Sequence, residues 1–206
     1  MIIKSVVKEK RHCHKIITDE CEFLLDNDTL CEYPLKAGVK LTNEQVGQLK
    51  LHSDCKRALS KGSWLLSDRD YTEKGLREKL SPDYSDYAVE FAIAQLKSVK
   101  AIDDSRYAEN FARYCCEYKN LSKKGIVLEL IKRGVDKQIA EDATQTLEYN
   151  PVETVAKIML QKYQNYGEDE KIRRRMINAL QRKGFSFREI NEAIEFINSE
   201  VDYNEL

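Results

Sequence analysis

One helical pattern recurs along this chain at a spacing of about fifty residues, and that period constrains the fold more than any other feature. Thr72 and Ser122, Gly75 and Gly125, Leu76, Ile126 and Met176, and Leu80, Leu130 and Leu180 fall into register without gaps. So do Gly134 and Gly184, Val135 and Phe185, and Asp86, Asp136 and Ser186. A fixed period of this length marks a repeated supersecondary unit, and stacked units present an extended surface rather than one deep pocket.

The spacing predicts three helices per copy. Copy one has them near 53–66, 72–81 and 86–99, copy two near 104–118, 122–133 and 137–148, and copy three near 152–166, 169–183 and 187–199. Their ends are chemically marked. Asn150-Pro151-Val152-Glu153 places a capping Asn before Pro in the first turn, and Ser186 with Glu189 forms a capping box. Gly134 and Gly184 stand where a left-handed residue would end a middle helix, and in copy one Pro82 supplies the stop. Each helix has an apolar stripe, as in Tyr107, Ala108, Phe111, Ala112 and Cys115. Tyr107, Tyr114 and Tyr163 lie on or beside such stripes and are expected to pack.

Residues 1–50 differ. Ile2-Ile3 with Val6-Val7, then Ile16-Ile17, then Cys21 to Leu25 are short β-favouring runs separated by polar stretches. A small antiparallel sheet followed by a short helix near 26–33 is expected. Thr42 to Gln45 forms a second capping box, opening a helix that leads into the repeats. The expected fold is therefore mainly α: a small β-containing segment (1–50) and three helix-turn-helix-like repeats (53–99, 100–149 and 150–206), the last with an acidic tail.

The formal net charge of −1 gives no long-range attraction for polyanions, so nucleic-acid binding would have to come from local patches. Charges interrupt every apolar stretch, so neither a signal peptide nor a membrane span is expected. The six cysteines form no C-x-x-C pair, and a reducing cytoplasm is the expected location. His12 and His14 would share a strand face, but no nearby Cys/His cluster completes a metal site. No catalytic constellation is evident, since all three histidines fall in the first quarter without a partner motif. Asp103 and Asp104 precede a helix and suit capping better than catalysis.

Several strings carry a resemblance to a known family. They are Ala101-Ile102-Asp103-Asp104-Ser105-Arg106-Tyr107-Ala108, Lys123 to Leu130, Arg182-Lys183-Gly184-Phe185, and Ser67 to Thr72 followed by Leu76 and Leu80. In order and spacing they resemble the RecX family, bacterial regulators of the RecA recombinase, from about Asp54 to Ser199. The preceding segment is similar to the extension of longer members from Gram-positive bacteria. The resemblance implies three tandem three-helix modules, no cofactor and no catalytic residue. It implies binding to RecA filaments on single-stranded DNA, with inhibition of strand exchange, ATPase and co-protease activities, and so a place in DNA repair, recombination and the SOS response. A monomer is expected, with weaker affinity for single-stranded DNA alone. Family members often carry basic residues where Val127 and Leu128 stand here, so no basic contact is carried over to those two positions.

The residues for such binding are sought among the cations. Between positions 171 and 183 lie Lys171, Arg173, Arg174, Arg175, Arg182 and Lys183, with no acid among them. At roughly 100° per residue, Ile172, Met176 and Leu180 face inward while Lys171, Arg174, Arg175 and Arg182 share an arc of about 100°. Arg173 falls in the apolar half and is expected to snorkel. In copy two Lys123, Lys124 and Arg133 are further candidates. In copy one Lys74, Arg77 and Lys79 alternate with Glu73 and Glu78, which suggests local ion pairs. The competing reading is an autonomous DNA-binding protein. It would need base-reading side chains at the start of each third helix, where Asp86-Tyr87-Ala88, Asp136-Lys137-Gln138 and Ser186-Phe187-Arg188 stand instead.

Overall fold

The computed structural model describes residues 1–9, 13–163, 166–167 and 169–204, with side chains described as far as residue 199. His12 and the acidic tail lie outside the residues so described. The chain divides into two compact units, Met1–Asp103 and Asp104–Leu206.

In the first unit, β1 (Ile3–Lys8), β2 (Cys13–Thr18) and β3 (Glu22–Asp26) form an antiparallel sheet in the order β1-β2-β3. Ile16 pairs with Val6 on one side and Phe23 on the other. Ile3, Ile16, Phe23 and Leu25 turn inward, as the two-residue period of a strand requires. Thr18 holds the second turn: its Oγ accepts from the Cys21 N–H at 2.9 Å and donates to the Cys21 carbonyl at 2.7 Å.

Helix α1 (Asn27–Glu32) follows directly, capped by Asp26. Helix α2 (Asn43–Asp68) then runs for 26 residues. It opens on the expected capping box, with Thr42 Oγ accepting from Gln45 N–H and Gln45 Oε1 accepting from Thr42 N–H. The sequence suggested a fresh helix near 53; the structure instead continues the one begun at 43. Nothing between 50 and 53 breaks helical propensity, and two successive stretches of one face find different cores. Val46 and Leu49 pack on the sheet. Cys55 and Ala58 pack against α3 (Glu73–Leu80) and α4 (Asp86–Ser98), through Leu76, Leu80, Val89, Ile93 and Leu96.

A buried polar knot sits at the crossing from sheet to α2. The Asp26 carboxylate accepts from Thr29 N–H at 3.0 Å and Thr29 Oγ at 2.5 Å, and Ser53 Oγ accepts from Asp26 N–H at 2.8 Å. Burial pushes the Asp26 carboxyl upward, but the hydrogen bonds from Thr29 and Ser53 outweigh it and leave it below the ordinary value.

The second unit holds two more three-helix bundles. In the first are α5 (Asp104–Tyr114), a π-helical turn over Cys115–Lys119, α6 (Lys123–Lys132) and α7 (Lys137–Gln145) around Ala108, Ala112, Ile126, Leu130 and Ala140. In the second, α8 (Pro151–Lys162), α9 (Glu170–Arg182) and α10 (Phe187–Asn204) surround Val155, Met159, Met176, Leu180 and Ile190. The marked helix ends form as the sequence suggests. Asn150 Oδ1 accepts from Val152 N–H at 3.0 Å, and Ser186 with Glu189 closes a capping box. Gly134 and Gly184 take φ of 88° and 92°, letting Val135 and Phe185 donate back to the carbonyls of Leu130 and Leu180.

These two bundles meet backbone to backbone. The Ser122 N–H, at the start of α6, donates to the carbonyl of Lys183 at 3.0 Å. A Cβ on Gly125 would stand 2.2 Å from that carbonyl oxygen, and one on Gly184 would stand 2.4 Å from Ser122 Oγ. Only glycines fit. The electropositive start of α6 thus receives the electronegative end of α9.

Two outcomes follow. Gly125→Ala should destabilise the chain by about 1–3 kcal/mol, because the methyl meets rigid backbone. Gly47→Ala, on the open face of α2 with nothing within 4 Å of its Cβ, should stabilise by about 0.5–1 kcal/mol. Urea titration of both variants checks the pair, and equal shifts would contradict the seam. Because the Asp26 carboxyl is held low when folded, its stabilisation is present above about pH 4 and lost as pH falls through its folded value. Thermal melts from pH 6 to pH 3 should therefore decline less steeply for Asp26→Asn than for the parent.

Candidate functional site

Helix α9 carries the cation stripe. It starts on Asp169, whose Oδ1 accepts from Lys171 N–H at 2.7 Å, and its inward face is set by Met176 and Leu180, both fully buried. Ile172 is only half-buried, one turn before them. That orientation leaves Lys171, Arg174, Arg175 and Arg182 exposed. Arg173 is exposed as well, its head reaching water beside the apolar face. Arg174 meets Glu170 at 3.1 Å one turn back, a solvated pair of small energetic weight. Arg175 and Arg182 flank a shallow groove shared with Tyr163, Asn178, Ala179 and Gln181.

The other sequence candidates have different surroundings. Lys183 is half-buried, and its ammonium donates to the carbonyl of Lys119. Burial, together with the charges of Lys162 and Lys119, holds it below the ordinary lysine value. Lys183 thus belongs to the seam more than to the α9 stripe. Arg133 is held against its own bundle: it bonds the Glu129 carboxylate at 2.6 Å, and its guanidinium lies 4.3 Å from the Phe111 ring centroid. The Arg133 and Lys132 bonds in turn hold the Glu129 carboxyl below its ordinary value. Lys123 is half-buried and reaches the Gln145 carbonyl at 3.4 Å, whereas Lys124 is exposed. Of the pairing suggested for copy one the structure shows Arg77 with Glu73, at 2.9 Å; Arg77 also bonds Glu90, and Glu73 is bonded in addition by Lys97 of α4 at 2.6 Å.

One group escaped the sequence reading. Tyr114 was expected to pack, yet it is 49% exposed and its neighbour Tyr118 is 71% exposed. Their ring centroids lie 5.5 Å apart at 30°, and the Lys119 ammonium stands 5.3 Å from the Tyr114 centroid and 5.6 Å from that of Phe111. Tyr114, the last residue of α5, stands beside and not on the buried stripe of Ala108, Ala112 and Cys115, and the wider π-helical turn that carries Tyr118 begins only after it. The Tyr-x-x-x-Tyr-Lys spacing was the only available signal.

Comparison with known proteins decides the lineage. Residues 103–143 match the description "RecX, second three-helix domain", and residues 148–194 match "RecX, third three-helix domain". Over these two stretches the chain carries three-helix domains of the RecX family. A protein named regulatory protein RecX from Streptococcus mutans is 24% identical over 197 residues, covering 94% of this chain and 76% of that protein. Others of that name come from Caldanaerobacter subterraneus, 28% identical over 94% of this chain and 98% of its own length, and Finegoldia magna, 29% identical over 91% and 95%. A crystal structure of regulatory protein RecX superposes with a TM-score of 0.67, covering 94% of this chain at 22% identity. That of RecX from Lactobacillus salivarius gives 0.61 over 72% of the chain at 27% identity. The mainly helical fold with a small N-terminal sheet is therefore that of the family. The coverage of the RecX relatives includes the sheet as well as the repeats. Among the described residues no helix is long and apolar enough to cross a membrane.

The two kinds of cation should separate on substitution. Arg133→Ala should cost about 1 kcal/mol or more, losing a contact over Phe111 and a charged hydrogen bond. Lys124→Ala should stay within about 0.5 kcal/mol of the parent. Equilibrium denaturation of both variants provides the test.

Proposed function

We propose that this protein is a regulator that binds RecA filaments on single-stranded DNA and restrains their recombinase, ATPase and co-protease activities. The regulatory class follows the relatives, which are named regulatory protein RecX along nearly the whole chain. The RecA filament as partner follows from the family resemblance. The observation that best supports a binding surface is the α9 stripe, where Lys171, Arg174, Arg175 and Arg182 stand exposed while Met176 and Leu180 are fully buried. A phosphate-bearing filament favours that arrangement, because each neutralised phosphate releases counterions. Lys124 adds a solvent-facing cation in copy two, whereas Lys123, Arg133 and Lys183 serve more to hold their bundles. In this reading the sheet segment (1–50) and the three repeats (53–99, 100–149 and 150–206) act as successive modules of a monomer in the cytoplasm. The protein works by occupancy rather than catalysis, and its affinity for naked single-stranded DNA is the weaker one.

Reversing Lys171, Arg174, Arg175 and Arg182 to Glu should sharply weaken binding to RecA filaments and relieve the inhibition of ATP hydrolysis, with melting little changed. A charge-matched control reverses Lys36, Lys40, Lys74 and Lys79 and should bind as the parent does. Arg77 is left out of that control because it is bonded to Glu73 and Glu90. Filament co-sedimentation and ATPase assays read the outcome. Equal loss in both variants would indicate net charge alone, and no loss in either would remove α9 from the interface.

A further inference from the structure

The exposed rings beside the π-helical turn are not used by the α9 reading. Surface tyrosines cost apolar exposure, and here two stand together at the surface. The Lys119 ammonium lies over Tyr114. Lys183, from the neighbouring bundle, donates to the Lys119 carbonyl. Neither Lys119 nor Lys183 has a carboxylate partner within ion-pair distance among the described residues. The patch therefore joins two exposed rings to ammonium groups that no carboxylate pairs.

That pairing fits one ligand chemistry better than others. A lone phosphate would need no rings. A single-stranded nucleic acid offers both partners at a repeating distance: unpaired bases for the rings and phosphates for the ammonium groups. We propose that Tyr114 and Tyr118 form a stacking platform for unpaired bases, with Lys119 seating an adjoining phosphate. The site rests on the reading of this protein as one that works on single-stranded DNA, but it is separate from α9. It would give the chain a direct hold on the nucleic acid where the strand is exposed.

The test uses the full-length protein and a fluorescent oligothymidine, without RecA, so that failure of the filament reading does not affect it. Anisotropy titration should show Tyr114→Ala/Tyr118→Ala binding about tenfold or more weakly than the parent, a loss typical of stacked bases. Tyr114→Phe/Tyr118→Phe should bind like the parent, since stacking needs the ring and not the hydroxyl. An abasic strand of equal length should bind the parent weakly and show no further loss in the alanine variant. Lys119→Gln should reduce the slope of log affinity against log salt by about 0.7, the value of one phosphate contact on a single strand. Circular dichroism and melting exclude misfolding of the variants. Parental affinity in the alanine variant, or equal loss on the abasic strand, would overturn the platform. So would an alanine variant that loses filament binding while keeping its affinity for the oligonucleotide, because that would make the patch a protein-docking surface.

Discussion

A single backbone hydrogen bond, from Ser122 N–H to the Lys183 carbonyl, fixes how the second unit is assembled. It joins the unsatisfied donor end of one helix to the unsatisfied acceptor end of another, so the peptide dipoles run head to tail across the seam. The approach is possible only because position 125 lacks a Cβ and Gly184 has turned into the left-handed region. Lys183 adds a second tie through its ammonium to the Lys119 carbonyl, at the last residue of the π-helical turn. Both bundles are therefore held by main chain at their closest point, where side-chain motion has little to relax.

This seam also gives the recurring glycines two meanings. Gly184 serves its own helix as a terminator and its neighbour as a place of contact. Gly125 is not a terminator at all: it lies in the first turn of α6, capped by Ser122 Oγ at 3.0 Å, and its value is the space it leaves for Lys183. Reading the sequence as a series of caps explains the first role and misses the second. Packing between repeats depends on which surfaces meet, and no local pattern encodes that.

Where local chemistry decides the outcome, the sequence was legible. Thr42, Asn150 and Ser186 cap as their neighbours require, Gly134 and Gly184 terminate, and Met176 and Leu180 point inward to leave four cations outside. Where the outcome depends on what a side chain meets at a distance, it was not. Arg133 is drawn onto Phe111, twenty-two positions earlier, and Lys183 onto a carbonyl sixty-four positions away. Tyr114 is a third kind of failure: at the last residue of α5 it stands beside the buried stripe rather than on it, and it faces solvent. The uninterrupted α2 is a fourth: two amphipathic stretches that share a face can be read as two helices until both cores are seen.

That helix has a mechanical consequence. Twenty-six residues at 1.5 Å each make a rod about 39 Å long. Its first turns are gripped by the sheet and its later turns by α3 and α4. A helix cannot fray in the middle without breaking its ladder on both sides, so loosening one grip strains the other. Within Met1–Asp103, amide protons of the sheet and of the first repeat should therefore exchange with solvent as one cooperative block rather than as two. The N-terminal segment is then less an appendage than a handle: force or a partner applied to the sheet is delivered along the rod into the first three-helix core.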